Sequence, residues 1–123
     1  MRQETLVFRI SQIIRAVERQ YGMDEMDASA RNLLFLIGEA ERDGSSLSVS
    51  EAIRESGTNT APTVYSKLAK LEASGWVKSV PDKNDRRVKR LHLTPHSKKV
   101  FGVMSRLVRS DSAKWPASGV QAP

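Results

Sequence analysis

Only three residues, Thr58-Asn59-Thr60, separate a helix stop from a helix start in the middle of this sequence, and that joint limits the possible folds more than any other feature. Upstream, Ser48-Val49-Ser50-Glu51 is a capping box, in which the serine and the glutamate three residues on each satisfy an orphan backbone donor. It predicts a short helix with Val49, Ala52 and Ile53 inward, halted by Gly57 as a natural C′ residue. Downstream, Thr60 can cap the next helix, and Pro62 falls in the first turn, where amides need no intrahelical partner. That helix buries Val64, Leu68 and Leu71 and ends at Gly75. Asn59 is read as local turn capping ahead of any adenine contact.

Period-2 and period-3.6 patterns place the rest. Trp76 to Val80 reads as a strand, Pro81-Asp82-Lys83-Asn84-Asp85 as a turn, and Val88 to Leu93 as a second strand with Leu91 and Leu93 on one face. Leu6, Ile10, Ile13, Ile14, Val17 and Tyr21 form a helical stripe that Gly22 and the Met23 to Met26 stretch bring to an end. Asp27 can cap a helix carrying Ala30, Leu33, Leu34, Ile37 and Ala40, ending near Gly44; Leu33 to Ile37 is apolar all round, which places it centrally. Thr94-Pro95 opens a last helix with Val100, Phe101, Met104, Leu107 and Val108 on its stripe, closed by Trp115-Pro116. The expected fold is mainly α with a small β-hairpin wing. It is a winged helix-turn-helix over 27–94 flanked by helices over 5–21 and 95–114, one domain spanning 1–114, with a flexible tail at 115–123.

Charge indicates the partner. The 123 residues carry 20 Lys and Arg against 14 Asp and Glu, a net of +6, yet residues 61–100 alone hold ten bases and three acids, a net of +7. A basic excess confined to one helix and one hairpin, on a chain whose first 60 residues are slightly acidic, suggests a nucleic-acid footprint. The absence of Cys excludes a disulfide scaffold, a zinc-thiolate site, a thiol nucleophile and a cysteine redox sensor. No apolar run approaches the roughly 18–20 residues of a membrane span, and Met1-Arg2-Gln3-Glu4 does not begin a signal peptide, so a soluble intracellular protein without a membrane partner is expected.

A recognition helix must bury one face and offer small polar and basic side chains to a groove about 12 Å wide. The outward set is Thr60, Ala61, Thr63, Ser66, Lys67, Lys70 and Ser74. Thr and Ser can bond base edges or phosphate, Ala61 can touch a thymine methyl, and Lys67 and Lys70 can neutralise phosphates. The hairpin tip carries Lys83, Asn84, Arg86 and Arg87 and continues to Lys89 and Arg90. A narrow minor groove concentrates negative potential and attracts an inserted Arg, and Asp85, two residues before Arg87, can orient that guanidinium by a bidentate bond.

Other side chains take structural readings. His92 and His96, without Cys and with no carboxylate near them in the sequence, are read as a strand residue and a helix-surface residue; neither a metal nor a cofactor is expected. Tyr21, Met23, Met26 and Trp115 are read as packing ahead of a small-molecule pocket. Glu51, Glu55, Glu72 and Asp111 lack the pairing of acid/base catalysis, and no phosphate loop or Ser/His/Asp set occurs, so no enzyme is expected. Because the winged domain can close without the two flanking helices, Leu6, Ile10, Ile13, Val17, Phe101, Met104, Leu107 and Val108 are assigned to a homodimer interface.

Leu71-Glu72-Ala73-Ser74-Gly75-Trp76-Val77, then Asp82 to Asp85-Arg86-Arg87, then Leu91-His92-Leu93-Thr94-Pro95 reproduce a run of the form LExxGxV, DxxDRR, LxLTP with its spacing intact. Over residues 5–112 the sequence resembles the MarR family of bacterial winged-helix regulators. The resemblance implies a homodimeric, cytoplasmic, nucleoid-associated transcriptional regulator, usually a repressor, on a pseudopalindromic double-stranded operator. It also implies that Arg87 or Arg86 enters the minor groove with Asp85 holding the wing arginine, while the 60–74 helix reads the major groove. The family usually adds a long helix after the one following the wing, so here the dimer contact is expected on the 6–21 and 95–114 helices. Family effector pockets lie between the dimer helices and the winged domain, which leaves a small-molecule effector open; the thiol switch of oxidant-sensing members requires a Cys that is lacking. Two alternatives use the same fold: a plasmid or mobile-element replication or partition protein, and a winged-helix protein-interaction module without a DNA partner.

Overall fold

The structure, a computed structural model, describes residues 4–57 and 60–112. Five helices and one antiparallel hairpin run in the order α1 (Glu4–Tyr21), α2 (Ala28–Arg42), α3 (Val49–Glu55), α4 (Ala61–Ala73), β1 (Val77–Pro81), β2 (Lys89–Leu93) and α5 (Pro95–Ser112), with a 3-10 turn over Met23–Glu25. Mainly α with a hairpin wing is the fold the pattern predicts. The described residues divide into two compact units, those within 26–98 and residues 4–25 with 99–112.

In the 26–98 unit each helix starts where a local acceptor meets its first amides. The Asp27 carboxylate accepts from the Ala30 N–H at 2.8 Å and starts α2. At α3 the Ser48 N–H donates to Glu51 Oε1 at 2.8 Å while the Glu51 N–H donates to Ser48 Oγ at 3.1 Å, a complete capping box. Thr60 begins α4 with Pro62 in the first turn. Its end is a Schellman motif: Gly75 takes φ +79°, its N–H donates to the Glu72 carbonyl, and the Trp76 N–H donates to the Leu71 carbonyl. The 58–59 part of the turn between α3 and α4, which includes Asn59, lies outside the described residues.

The core of this unit gathers Leu33, Leu34 and Ile37 of α2, Ala52 of α3, Val64, Leu68 and Leu71 of α4, and Trp76, Val77, Leu91 and Leu93. Burial of each large aliphatic side chain contributes about 1.5–3 kcal/mol. Three sides of α2 are engaged, by α3, α4 and β2, which explains its unbroken apolar centre. The hairpin register pairs Val77 with Leu93 and Ser79 with Leu91. The strands are shifted or trimmed by one residue from expectation because Val88 closes the turn: its carbonyl accepts from the Asp82 N–H and its N–H donates to the Asp85 carbonyl. Strand β2 has a second neighbour, since Arg90 bridges to Ser48 and the Leu91 N–H donates to the Leu47 carbonyl at 2.8 Å. Thr94 accepts from the Ser97 N–H at 3.2 Å, opening α5, and donates to the Gly75 carbonyl at 2.6 Å.

In the other unit, Val17, Met23, Val100 and Met104 are buried and Arg9 pairs with Asp111 at 3.2 Å. Val7, Phe8 and Leu107 stand exposed at 59%, 63% and 44%. No helix among the described residues is long and apolar enough to cross a membrane.

Candidate nucleic-acid interface

On α4 the buried Val64, Leu68 and Leu71 turn the opposite face outward, where Pro62, Tyr65, Ser66, Ala69, Lys70 and Ser74 are all exposed. Of the remaining expected contacts, Thr60 is exposed and caps the helix through the Thr63 N–H, while Ala61 and Thr63 are half-buried. Lys67 sits on the flank toward α2 with its ammonium bonded to the Asp27 carboxylate. That ammonium, followed by the Ala30 N–H, holds Asp27 below its ordinary carboxylate range. Tyr65, 58% exposed, received no assignment from the sequence. Its helical offset of one residue from Val64 was the available signal.

The wing tip is built on two aspartates. Asp82 Oδ2 accepts from the Asn84 and Asp85 N–H groups at 2.9 and 3.1 Å, which folds the turn. Asp85 then accepts from Arg87 Nε at 3.0 Å and Nη2 at 3.2 Å, a bidentate grip, and from the Arg87 N–H at 3.1 Å. The Arg87 side chain remains 91% exposed, so the grip sets its direction without covering it. The same guanidinium, then its N–H, keeps Asp85 ionised by lowering its pKa. Lys83, Asn84, Arg86 and Lys89 are exposed around it, and among the described residues no carboxylate pairs with the Lys83, Arg86 or Lys89 side chains.

Arg90 points elsewhere. Its Nε donates to Asp82 Oδ1 at 3.0 Å and its Nη1 to Glu51 Oε1 at 2.9 Å and to the Ser46 carbonyl at 3.0 Å. The guanidinium is two-thirds covered and bridges the wing turn at Asp82 to the start of α3 at Glu51.

The histidine reading needs one correction. The sequence puts no carboxylate near His92, but the fold brings Glu41 of α2 to 3.0 Å from its Nδ1, and the same carboxylate accepts from the Leu93 N–H at 3.0 Å. Partial burial pushes Glu41 up, and the Leu93, His92 and Lys98 contacts outweigh it, leaving its pKa lowered. This network pins β2 to α2. Among the described residues no three His, Asp or Glu side chains gather as a metal site.

No family model matches the sequence, and the search of curated proteins found no match. Solved structures do match. Staphylococcus aureus MepR bound to ethidium bromide is similar at 15% identity, covering 94% of this chain and 81% of that one, with a TM-score of 0.66. A mutant of E. coli MarR complexed with operator DNA gives 19% identity, 97% and 82% coverage and a TM-score of 0.56. Streptococcus pneumoniae FabT in complex with DNA gives 23% identity, 89% and 74% coverage and a TM-score of 0.59. Similarity at these identities extends to the fold, and the chain has the winged helix-turn-helix fold of the MarR-family regulators that are its structural neighbours.

Proposed function

We propose that this chain is a sequence-specific double-stranded DNA-binding transcriptional regulator that acts as a dimeric repressor. The observation that carries the reading is the Asp85–Arg87 pair, a guanidinium aimed by two parallel bonds yet almost wholly exposed at the tip of a basic hairpin. A surface arginine that only aids solubility needs no such fixing, whereas one that must enter a narrow groove gains from having its direction set beforehand. In this reading Tyr65, Ser66 and Lys70 of α4 face a major groove. Arg86 and Arg87 enter the adjacent minor groove, and Lys83, Asn84 and Lys89 contact phosphate. Two protomers place these surfaces on half-sites about 34–36 Å apart. The neighbours described as complexes with DNA support the partner class.

The test begins with selection of a binding duplex from a random pool, followed by anisotropy titrations at several salt concentrations. Binding should weaken steeply as salt rises, as phosphate contacts require, and the double variant R86A/R87A should weaken it on the order of a hundredfold. Unchanged affinity in R86A/R87A would remove the wing from the interface. The absence of any salt-dependent shift with any duplex would favour a protein-interaction module. Mapping the selected sites to promoters or to a replication origin separates a regulator from a DNA-maintenance factor.

A further inference from the structure

The arginine that the sequence groups with the wing's DNA-contacting side chains has a different set of partners. Arg90 closes a clamp on three acceptors drawn from two separate stretches of chain. Asp82 opens the wing turn, Glu51 stands in the first turn of α3, and the Ser46 carbonyl lies just ahead of that helix. The Glu51 oxygen that receives Arg90, Oε1, is also the one that receives the Ser48 N–H, so a single atom both starts α3 and holds the wing. Backbone links run beside it, from Arg90 to Ser48 and from Leu91 to Leu47. The other Asp82 oxygen shapes the turn that presents Asp85, and Asp85 aims Arg87. A continuous chain of bonds therefore leads from the capping box of α3 through Arg90 and Asp82 to the wing tip.

We infer that Arg90 is a positioning residue for DNA recognition, fixing the wing tip relative to the helix-turn-helix without touching DNA itself; this rests on the DNA-binding reading above. A planar guanidinium suits the task because its donors diverge in a fixed fork and reach three acceptors at once, whereas a lysine ammonium at that position is a single point charge. Both carboxylates lie below their ordinary range, Asp82 through the Arg90 guanidinium first and Glu51 through the Ser48 N–H first, so the clamp is fully charged at neutral pH.

The experiment measures affinity and salt dependence for the selected duplex with the full chain as wild type, R90M, R90K, E51Q, R86A/R87A and R86A/R87A/R90M. A clamp predicts that R90M weakens binding on the order of tenfold in the wild type and has almost no further effect once the wing arginines are gone, since it acts only through them. It predicts a salt slope unchanged by R90M, and little rescue by R90K. E51Q is the discriminating variant. Glutamine still accepts the Ser48 N–H, and loss of a negative charge near DNA would by itself strengthen binding, yet weakening of the clamp predicts several-fold looser binding. Should R90M prove too unstable to assay by thermal melting, E51Q carries the decision. A direct phosphate contact would instead show an additive R90M effect, a slope reduced by about 0.9, rescue by R90K and tighter binding in E51Q, and any of these overturns the clamp. Unaltered affinity in R86A/R87A overturns the DNA reading of the wing and the clamp with it, which separates the two failures.

Discussion

Arg87 and Arg90 stand three positions apart on one hairpin, and their partners lie at very different separations along the chain. Asp85 lies two residues away from Arg87 and can only fix it locally, so its side chain stays 91% exposed; Glu51 ties Arg90 to α3 while Asp82 ties it to the wing turn. The first arrangement follows from local spacing, and an Asp two residues before an Arg was legible in the sequence. The second depends on a partner 39 residues away, as the Lys67–Asp27 and His92–Glu41 bonds depend on separations of 40 and 51. Packing of α2, α3 and β2 brings these groups together, and no local spacing encodes it. Four of the depressed carboxyls share one consequence. Lys67 holds Asp27 down, the Ser48 N–H holds Glu51, Arg90 holds Asp82 and Arg87 holds Asp85. A group whose folded pKa is lowered contributes stability that is present above its unfolded value and lost as pH falls through the folded one. The thermal midpoint should stay nearly level from neutral pH to about 5 and drop below about pH 4; a midpoint that climbs on acidification contradicts these assignments. Tyr65 supplies a prediction of a different kind. As an exposed side chain it can be removed with a stability change within about 0.5 kcal/mol, while duplex affinity should fall about tenfold in Y65A. Parallel melting and anisotropy curves distinguish that outcome from simple unfolding.

Among the elements, those that begin and end on local chemistry were the most legible. Asp27, Ser48 with Glu51, and Thr60 each cap a helix at the spacing an N-cap requires, so starts could be placed within a residue of where α2, α3 and α4 begin. The strands were less so, because Val88 joins the turn and the choice between turn and strand rests on which backbone groups the rest of the fold occupies. Two glycines with opposite roles test this account. Gly75 has φ +79° at the end of α4, a conformation an L side chain resists, and G75A should cost about 1 kcal/mol although nothing would crowd the new methyl. Gly38 lies inside α2 with helical backbone, and a Cβ there would meet Leu93 side-chain atoms no nearer than 3.4 Å, an ordinary contact. Removing glycine's backbone freedom should therefore make G38A more stable by about 0.5–1 kcal/mol. Denaturant unfolding of both variants measures the signs. A destabilised G38A would mean that Leu93 cannot yield and that the α2–β2 contact is tighter than its distances suggest.

At the scale of the whole molecule the apolar residues outside the winged unit divide between buried and exposed. The stripe assigned to a dimer from sequence is partly used up within the protomer: Val17 and Met104 are 1% and 5% exposed, and Leu6, Ile10, Ile13, Phe101 and Val108 are half-buried. Exposure is concentrated instead at Val7, Phe8 and Leu107, of which only Leu107 lay on the expected stripes. Helical periodicity identifies a single apolar face and cannot divide it between a protomer's own core and a second copy, so residues just off the stripe escape notice. A two-fold dimer that buries Phe8 gives F8D a specific signature. Phe8 is 63% exposed, so a charge there leaves the protomer folded, while two buried aspartates at a symmetric interface would separate the copies. Light scattering should then report a dimer for the wild type and a monomer for F8D. The link to function lies in effective concentration: two tethered half-site readers bind a full site far more tightly than one, by a factor on the order of a hundred or more. F8D should accordingly lose affinity for a duplex with two half-sites and retain wild-type affinity for a duplex with one. Equal losses on both duplexes would place Phe8 in the fold of the protomer, and a wild type that stays monomeric at micromolar concentration would exclude the dimer outright.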